Sequence, residues 1–310
     1  MRIVVTGALG HIGSRLIRSF PASFPGAELV LVDDLSTQRY PSLFDLPAAG
    51  RYRFVEADVL ATDLDALLAG ADVVVHLAAI TNAEASFGKQ EDVERVNFHG
   101  TELIARACMR TGAGLVFLST TSVYGTQSGV VDEACSVEEL KPQSPYAASK
   151  LRAEQLIERL GADGLRSVTF RFGTIVGSSP GMRFHTAVNK FCWQAVLAEP
   201  LSVWRTALHQ RRPYLDLTDA VGAIEFILRH GLDGRLYNVL TANASVAEIV
   251  EMIREVVPDL AVTEVDSPVM NQLSYEVDDA RFRSLGFVVT GDLRRAIAET
   301  IGHLRGVRRP

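Results

Sequence analysis

Tyr146 and Lys150 stand four residues apart in the segment Ser144-Pro145-Tyr146-Ala147-Ala148-Ser149-Lys150. Serine followed by proline is a helix-start signal, so the pair shares one face of a helix. That pairing suits acid–base chemistry on a hydroxyl. A free phenol has a pKa near 10, and bringing it down to neutrality is worth about 4 kcal/mol. A nearby ammonium favours the phenolate and narrows that gap. Lysine is scarce here: of 31 basic residues only Lys89, Lys141, Lys150 and Lys190 are lysines, so one at this spacing carries weight. The bland alternative is a surface tyrosine and lysine stacked on an exposed helix.

A second constellation opens the chain. The apolar run Arg2-Ile3-Val4-Val5 leads into Thr6-Gly7-Ala8-Leu9-Gly10-His11-Ile12-Gly13 and then into a helix-like stretch. Strand, glycine loop and helix in that order present backbone amides to a pyrophosphate at a helix N-terminus. Gly7 lets the chain turn off the strand, Gly10 removes a Cβ where backbone meets phosphate, and Gly13 lets the helix pack closely. Asp33 ends a second apolar run beginning at Glu28, the placement for a carboxylate on an adenosine ribose. Asp33 would repel a 2′-phosphate, so NAD is the expected cofactor. Arg39 is the one basic neighbour that complicates this.

The rest of the chain must position these groups. Strand-like segments at Val4-Val5, Leu29–Val32, Phe54-Val55, Val73–His76, Val116–Leu118 and Val168–Phe170 alternate with helical patterns at His11–Phe20, Leu64–Leu68, Val93–Thr111 and Tyr146–Leu160. Such alternation predicts an α/β fold with a Rossmann-type, doubly wound parallel sheet. The rhythm breaks after Phe172. Arg183–Leu197, Ala220–Arg229 and Val246–Val256 read as helices, with short strands at Leu201–Trp204 and Pro213–Leu217. The expected organisation is a cofactor-binding domain over 1–172 and a smaller α/β carboxyl-terminal substrate lobe over 173–310, with part of 213–240 returning to the core.

Composition sets the bounds. The 310 residues are 47% hydrophobic and 22% charged, with a formal net charge of −6. That balance gives no electrostatic footprint for nucleic acid. No apolar run approaches a membrane span, and Ile3 already belongs to the core, so neither an anchor nor a leader is expected. Cys108, Cys135 and Cys192 are isolated, with no zinc-ligand spacing, which points to a reducing cytoplasm and no metal.

Thr-Gly-x-x-Gly-x-x-Gly resembles the extended branch of the short-chain dehydrogenase/reductase superfamily. So does Ser119-Thr120-Thr121-Ser122-Val123-Tyr124-Gly125, which is similar to that branch's Ser-Ser-x-x-Val-Tyr-Gly segment. With Tyr146 and Lys150, the pattern resembles its sugar-nucleotide enzymes, closest to UDP-galactose 4-epimerase and relatives. The resemblance implies Thr120 as the third catalytic residue, Lys150 on the nicotinamide ribose, and a homodimer built from the helices Val93–Thr111 and Tyr146–Leu160. It implies cofactor contacts at Gly7, Gly10, His11, Ile12, Gly13, Asp33, Asp34, Leu35, Asp58, Val59, Leu77, Ala78, Ala79, Asn97, Tyr146, Lys150 and Phe172. Substrate contacts fall on Thr81, Thr121, Thr174, Arg183, Asn189, Val203 and Arg212, the last within Arg212-Pro213-Tyr214-Leu215-Asp216.

The implied reaction is reversible oxidation of a nucleotide sugar through a transient keto sugar, with Tyr146 holding the proton. Members that dehydrate or decarboxylate carry an acid after the catalytic threonine. Thr121 and Ser122 stand there instead, which favours an epimerase, most simply at C4, over a dehydratase. A dehydrogenase or reductase of a keto sugar or small alcohol, and a non-catalytic dinucleotide sensor, remain the alternatives. Two departures concern the substrate. Thr174 replaces a frequent asparagine, and Ser267–Gln272 offers no arginine for a second phosphate grip, leaving Arg183 or Arg205 to substitute.

Overall fold

Each short β-branched run in the first half becomes a buried strand, and each amphipathic stretch a helix covering it. The computed structural model describes residues 1–127, 129–266 and 274–307. In chain order its first part comprises β1 (Arg2–Thr6), α1 (His11–Ser23), β2 (Glu28–Asp33), β3 (Arg51–Glu56), α2 (Leu64–Leu68), β4 (Val73–His76), α3 (Gln90–Val93), α4 (Gly100–Thr111), β5 (Gly114–Thr120), β6 (Val130–Val131), α5 (Pro145–Ala162) and β7 (Ser167–Phe172). There follow β8 (Thr174–Val176), α6 (Ala187–Val196), β9 (Leu201–Trp204), β10 (Arg211–Asp216), α7 (Leu217–His230), β11 (Leu236–Val239), β12 (Ala242–Ser245), α8 (Val246–Arg254), β13 (Val262–Val265), β14 (Glu276–Val277), α9 (Ala280–Arg283) and α10 (Leu293–Leu304).

Seven strands form one parallel sheet in the order β11-β7-β5-β4-β1-β2-β3. Residues such as Val4, Val30, Val74 and Phe117 face one apolar layer with α2, α4 and α5. Ile3, Leu29, Val75 and Phe170 face another with α1 and α7. A sheet buried on both faces explains the near-continuous Val/Leu/Ile runs. The expected doubly wound architecture is therefore present. Between β1 and β4 the chain leaves in opposite directions, and the crevice above their carboxyl ends is where such folds bind ligands.

Several elements differ from the sequence reading. The helix expected from Val93 begins at Gln90 and passes through a π-helical turn at Glu94–His99 before α4. The helix expected from Arg183 begins only at Ala187, after the extended N-cap Thr186, because Gly181 is held against the glycine loop and keeps the preceding chain irregular. β11 lies at the edge of the large sheet, paired with β7. The segments β8, β10 and β12 form a three-stranded sheet beside α6, α8 and α10, around Val188, Ile249 and Ile297. Among the described residues no helix is long and apolar enough to cross a membrane.

One buried ion pair joins sheet to helix under the site. The guanidinium of Arg171 on β7 donates to both carboxylate oxygens of Glu154 on α5, at 2.7–3.2 Å, with side chains only 5% and 6% exposed. It also lies 4.8 Å from the ring centroid of Tyr124, whose hydroxyl donates to Asn238. Removing one partner strands a buried charge. Glu154→Leu should lose about 3–5 kcal/mol of stability in urea unfolding, and adding Arg171→Met should restore most of it. A double variant no more stable than the single one would show that Arg171 is held by other contacts.

Candidate active site

The cleft begins at the end of β1. Gly7 has φ +66°, and a Cβ there would lie 2.6 Å from the backbone nitrogen of Ala78, so only glycine lets β1 and the loop after β4 end side by side. Gly10 caps α1 with extended backbone and no capping side chain, leaving first-turn amides for a ligand. A Cβ at Gly13 would meet the carbonyl oxygens of Ala8 and Gly7 at 2.6 and 2.7 Å. Its close packing is thus against the loop itself rather than the sheet.

Asp33, half-buried at the end of β2, accepts from the amide of Leu9 at 3.0 Å and from that of Leu35 at 3.1 Å. Burial raises its pKa, while these two bonds pull it back down. Leu35, an expected cofactor contact, has φ +54°, gives its amide to Asp33 and buries its side chain, so it acts through Asp33. Asp33, Asp34, Asp58, Val59, Leu77, Ala78 and Ala79 all border one half of the cleft. Asn97 does so only indirectly, correcting its expected contact: its side chain accepts from the Ile80 amide and donates to the Ile80 carbonyl and Ser149, clasping the loop after β4.

The other half contains the tyrosine. Ser144 accepts from the Ala147 amide and Pro145 opens α5, as their order in the sequence indicates. Tyr146 faces Thr120, which caps the turn after β5 and bonds Ser122 at 3.1 Å. Burial raises the Tyr146 pKa, opposed first by a hydrogen bond with Thr120 and then by the charge of Arg183. Lys150 is nearly fully buried. Its ammonium donates to the carbonyl of Leu118 at 2.8 Å and lies 4.7 Å from the Phe117 ring centroid. Burial pulls its pKa down to about 8, against the charge of Glu154 one turn on. The charge of Arg183 thus favours the Tyr146 phenolate, while the Lys150 ammonium is anchored on the Leu118 carbonyl one helical turn away.

His11, Ile12, Phe172, Thr81 and Thr174 line this half too, as does Arg183, which borders both halves. Thr121 is 2% exposed, donates to the Phe172 carbonyl and accepts a long 3.5 Å bond from Tyr275. Three residues expected on the substrate have protein partners of their own. Val203 is 1% exposed in the core around α6 and α8, so only its main chain is available. Asn189 is fully buried and donates to the Arg183 carbonyl, positioning the loop. Arg212 bonds Gln210, and its charge acts on Tyr214 and Tyr275. Ser267–Gln272 lies outside the described residues. Thr186 and His185, which line this half, are not marked by anything local in the sequence, nor is Tyr275, which reaches the cleft only through Thr121.

These residues suit a dinucleotide: a Cβ-free cradle, a carboxylate at one end, a hydroxyl and an ammonium at the other. Comparison with known proteins agrees. The model of the NAD dependent epimerase/dehydratase family matches residues 3–239. A trifunctional UDP-glucose 4,6-dehydratase/UDP-4-keto-6-deoxy-D-glucose 3,5-epimerase/UDP-4-keto-L-rhamnose-reductase of Arabidopsis thaliana is 28% identical, covering 96% of this chain and 46% of that protein. The chain thus spans about half the length of the curated relatives it matches first. A UDP-glucose 4-epimerase of Azospirillum brasilense is 33% identical over 82% of this chain and 77% of its own. The crystal structure of UDP-glucuronic acid 4-epimerase from Bacillus cereus with UDP-glucuronic acid and NAD superposes with a TM-score of 0.86 at 27% identity, covering 98% of this chain and all of that one. The cofactor is NAD.

Two histidines in this cleft tie stability to pH. His11 contacts the Gly177 carbonyl through Nε2, and His76 sits between the hydroxyls of Thr6 and Thr101. Burial lowers their pKa values from 6.5 to about 4 and about 3. Below pH 6.5 the unfolded chain binds protons that the folded one refuses, so stability is full above 6.5 and falls as pH drops toward 4. Each histidine contributes a slope of up to about 1.4 kcal/mol per pH unit. Urea unfolding between pH 7 and 5 should show this fall, and His76→Asn should flatten it by about one proton. An unchanged slope in that variant would mean His76 is protonated in the fold.

Proposed function

Because the chain belongs to the NAD dependent epimerase/dehydratase family, we propose that it is a nucleotide-sugar epimerase inverting C4. One observation carries the reading. Among the described residues, the catalytic half of the cleft is bordered by hydroxyls, histidines, Lys150 and Arg183, and by no carboxylate. Eliminating water from a sugar needs an acid and a base beyond the one that handles the C4 hydroxyl. Thr121 and Ser122 can serve as neither near neutral pH. Inversion at one carbon needs only a single reversible proton site.

That site is the Tyr146 hydroxyl. Thr120 stabilises it with a hydrogen bond and shares the orientation of the sugar hydroxyl. Lys150, anchored on Leu118, presents a buried ammonium toward the same end of the cleft. Thr81 and Thr174 offer further hydroxyls to the sugar. NAD, when bound, supplies a reversible hydride acceptor. The proton leaving the sugar hydroxyl stays on Tyr146 and returns to the epimer, so the protein ends each cycle unchanged. We further propose a homodimer through the outer faces of α4 and α5, which lie side by side.

With a panel of UDP-, GDP- and dTDP-sugars, the enzyme should form a C4 epimer without added NAD and without net change in reduced-nicotinamide absorbance. Stoichiometric consumption of added reduced cofactor, with no epimer, would establish a reductase instead. Tyr146→Phe should fold, retain dinucleotide and lose about 10²–10⁴-fold in kcat. Near-normal turnover in that variant would remove Tyr146 from the chemistry. Light scattering at micromolar concentration should give twice the 33.8 kDa chain mass; a monomer there would rule out the dimer.

A further inference from the structure

The loop from Gly177 to Thr186 belongs to the substrate lobe in sequence, yet it is fastened to the cofactor loop. Ser179 donates to the His11 carbonyl at 2.8 Å, and the Gly181 amide donates to the Ser14 hydroxyl at 3.0 Å. His11 reaches the Gly177 carbonyl at 2.9 Å. A Cβ at Gly181 would lie 2.1 Å from the Leu9 carbonyl oxygen, so the two backbones touch. From the far side, Arg39 donates to the Gly181 carbonyl at 2.9 Å. Arg183 follows two residues later, its own carbonyl held by Asn189.

This fastening places two guanidinium groups together. Arg183 borders both halves of the cleft, as do Gly7 and Gly10 beneath it. Its charge is felt by Tyr146 at the catalytic end, and it in turn feels Asp33 at the ribose end. Burial, and after it repulsion by Arg39, bring its pKa down to about 10. Among the described residues neither Arg39 nor Arg183 has an ion-pair partner. Asp33 acts on both but makes an ion pair with neither, and two adjacent half-buried cations placed so favour a ligand that brings an anion. The anion that spans from a ribose at Asp33 to a ring at Tyr146 is a diphosphate, and the amides of the first turn of α1 face the same place.

We propose that Arg183, backed by Arg39, grips the diphosphate of the dinucleotide from the side opposite the glycine loop, rather than the diphosphate of the sugar nucleotide. Arg183 then ties the substrate lobe to the cofactor, and the loop from 177 to 186 becomes a strap that must be displaced before the cofactor leaves. The inference rests on the NAD site alone, so it stands or falls separately from the epimerase reading.

The test compares wild type with Arg183→Met and Arg183→Lys, by calorimetry on protein freed of dinucleotide. NAD is titrated first, then UDP into the NAD-saturated protein as a nucleoside diphosphate probe. Loss of a charge-assisted grip should weaken NAD by roughly 10–100-fold in Arg183→Met, and less in Arg183→Lys. UDP affinity should stay within about twofold, since no contact to it is lost. Weakening NAD by Arg183→Met should also make its affinity less sensitive to salt. Unchanged NAD affinity, or weakening of UDP alone or of both equally, would overturn the proposal. If Arg183→Met does not fold, Arg39→Met carries the same comparison.

Discussion

The missing Cβ of Gly7 is the constraint from which the site follows. β1 and β4 end side by side, and the backbone of Ala78 approaches Gly7 so closely that any side chain would collide. That approach opens the crevice at the point where the sheet order reverses, and the positive φ of Gly7 turns the chain so that α1 begins above it. Asp33 fixes the loop from the next strand by holding the Leu9 amide. The loop after β4 is fixed by Asn97 and Thr6, and β5 then delivers Thr120 along the same edge of the sheet. Thr120 therefore stands where a parallel strand stops, and α5 brings Tyr146 and Lys150 to the same edge.

Sequence reasoning reaches the parts of this arrangement that are local. The glycine spacing, the Ser-Pro helix start, and a tyrosine and lysine one turn apart each encode their geometry within a few residues. What it misses lies far apart in the chain. Arg39 meets Gly181 across 142 positions, and Tyr275 meets Thr121 across 154. Nothing near Tyr275 distinguishes it from any other buried aromatic. The apolar spacing that runs into α6 predicts a helix starting at Arg183, four residues before α6 begins. The tie of Gly181 to the glycine loop overrides that periodicity. Asn97 and Val203 show the converse: a residue type that suits a ligand contact is used instead for clasping a loop or filling a core.

Electrostatics give the cleft its character. Burial holds His11 and His76 neutral and weakens the hold of Lys150 on its proton, so the positive charge bordering the cleft rests on Arg39, Arg183 and Lys150. The Arg171–Glu154 pair beneath matters here, because Glu154 is the charge that opposes deprotonation of Lys150. Without that carboxylate, the ammonium that serves the nicotinamide end would be harder to keep charged in an apolar layer against Phe117. An ion pair that is a weak source of stability can still be retained for what it does to a neighbour's proton.

A reaction that removes and restores hydride within one visit places a specific demand on the scaffold. The reduced cofactor must not exchange with the medium while the sugar is oxidised, or the cycle ends in release of a ketone. Rigid retention of cofactor and freedom of the sugar to turn are opposite requirements on one cleft. The fold separates them. The end of the cleft at Asp33 is closed by the Ser14–Ser179–Gly181 contacts and by Arg39 on the Gly181 carbonyl. The catalytic end is walled by short hydroxyl side chains, Thr81, Thr120, Ser122 and Thr174, which bond to a sugar without gripping it in one orientation. On the proposed epimerase reading, a carboxylate at Ser122 would add a strong directional partner where the keto sugar would have to rotate. A short neutral group there, with Thr121 behind it turned to the Phe172 carbonyl, would suit turnover of a retained keto sugar better than elimination from it.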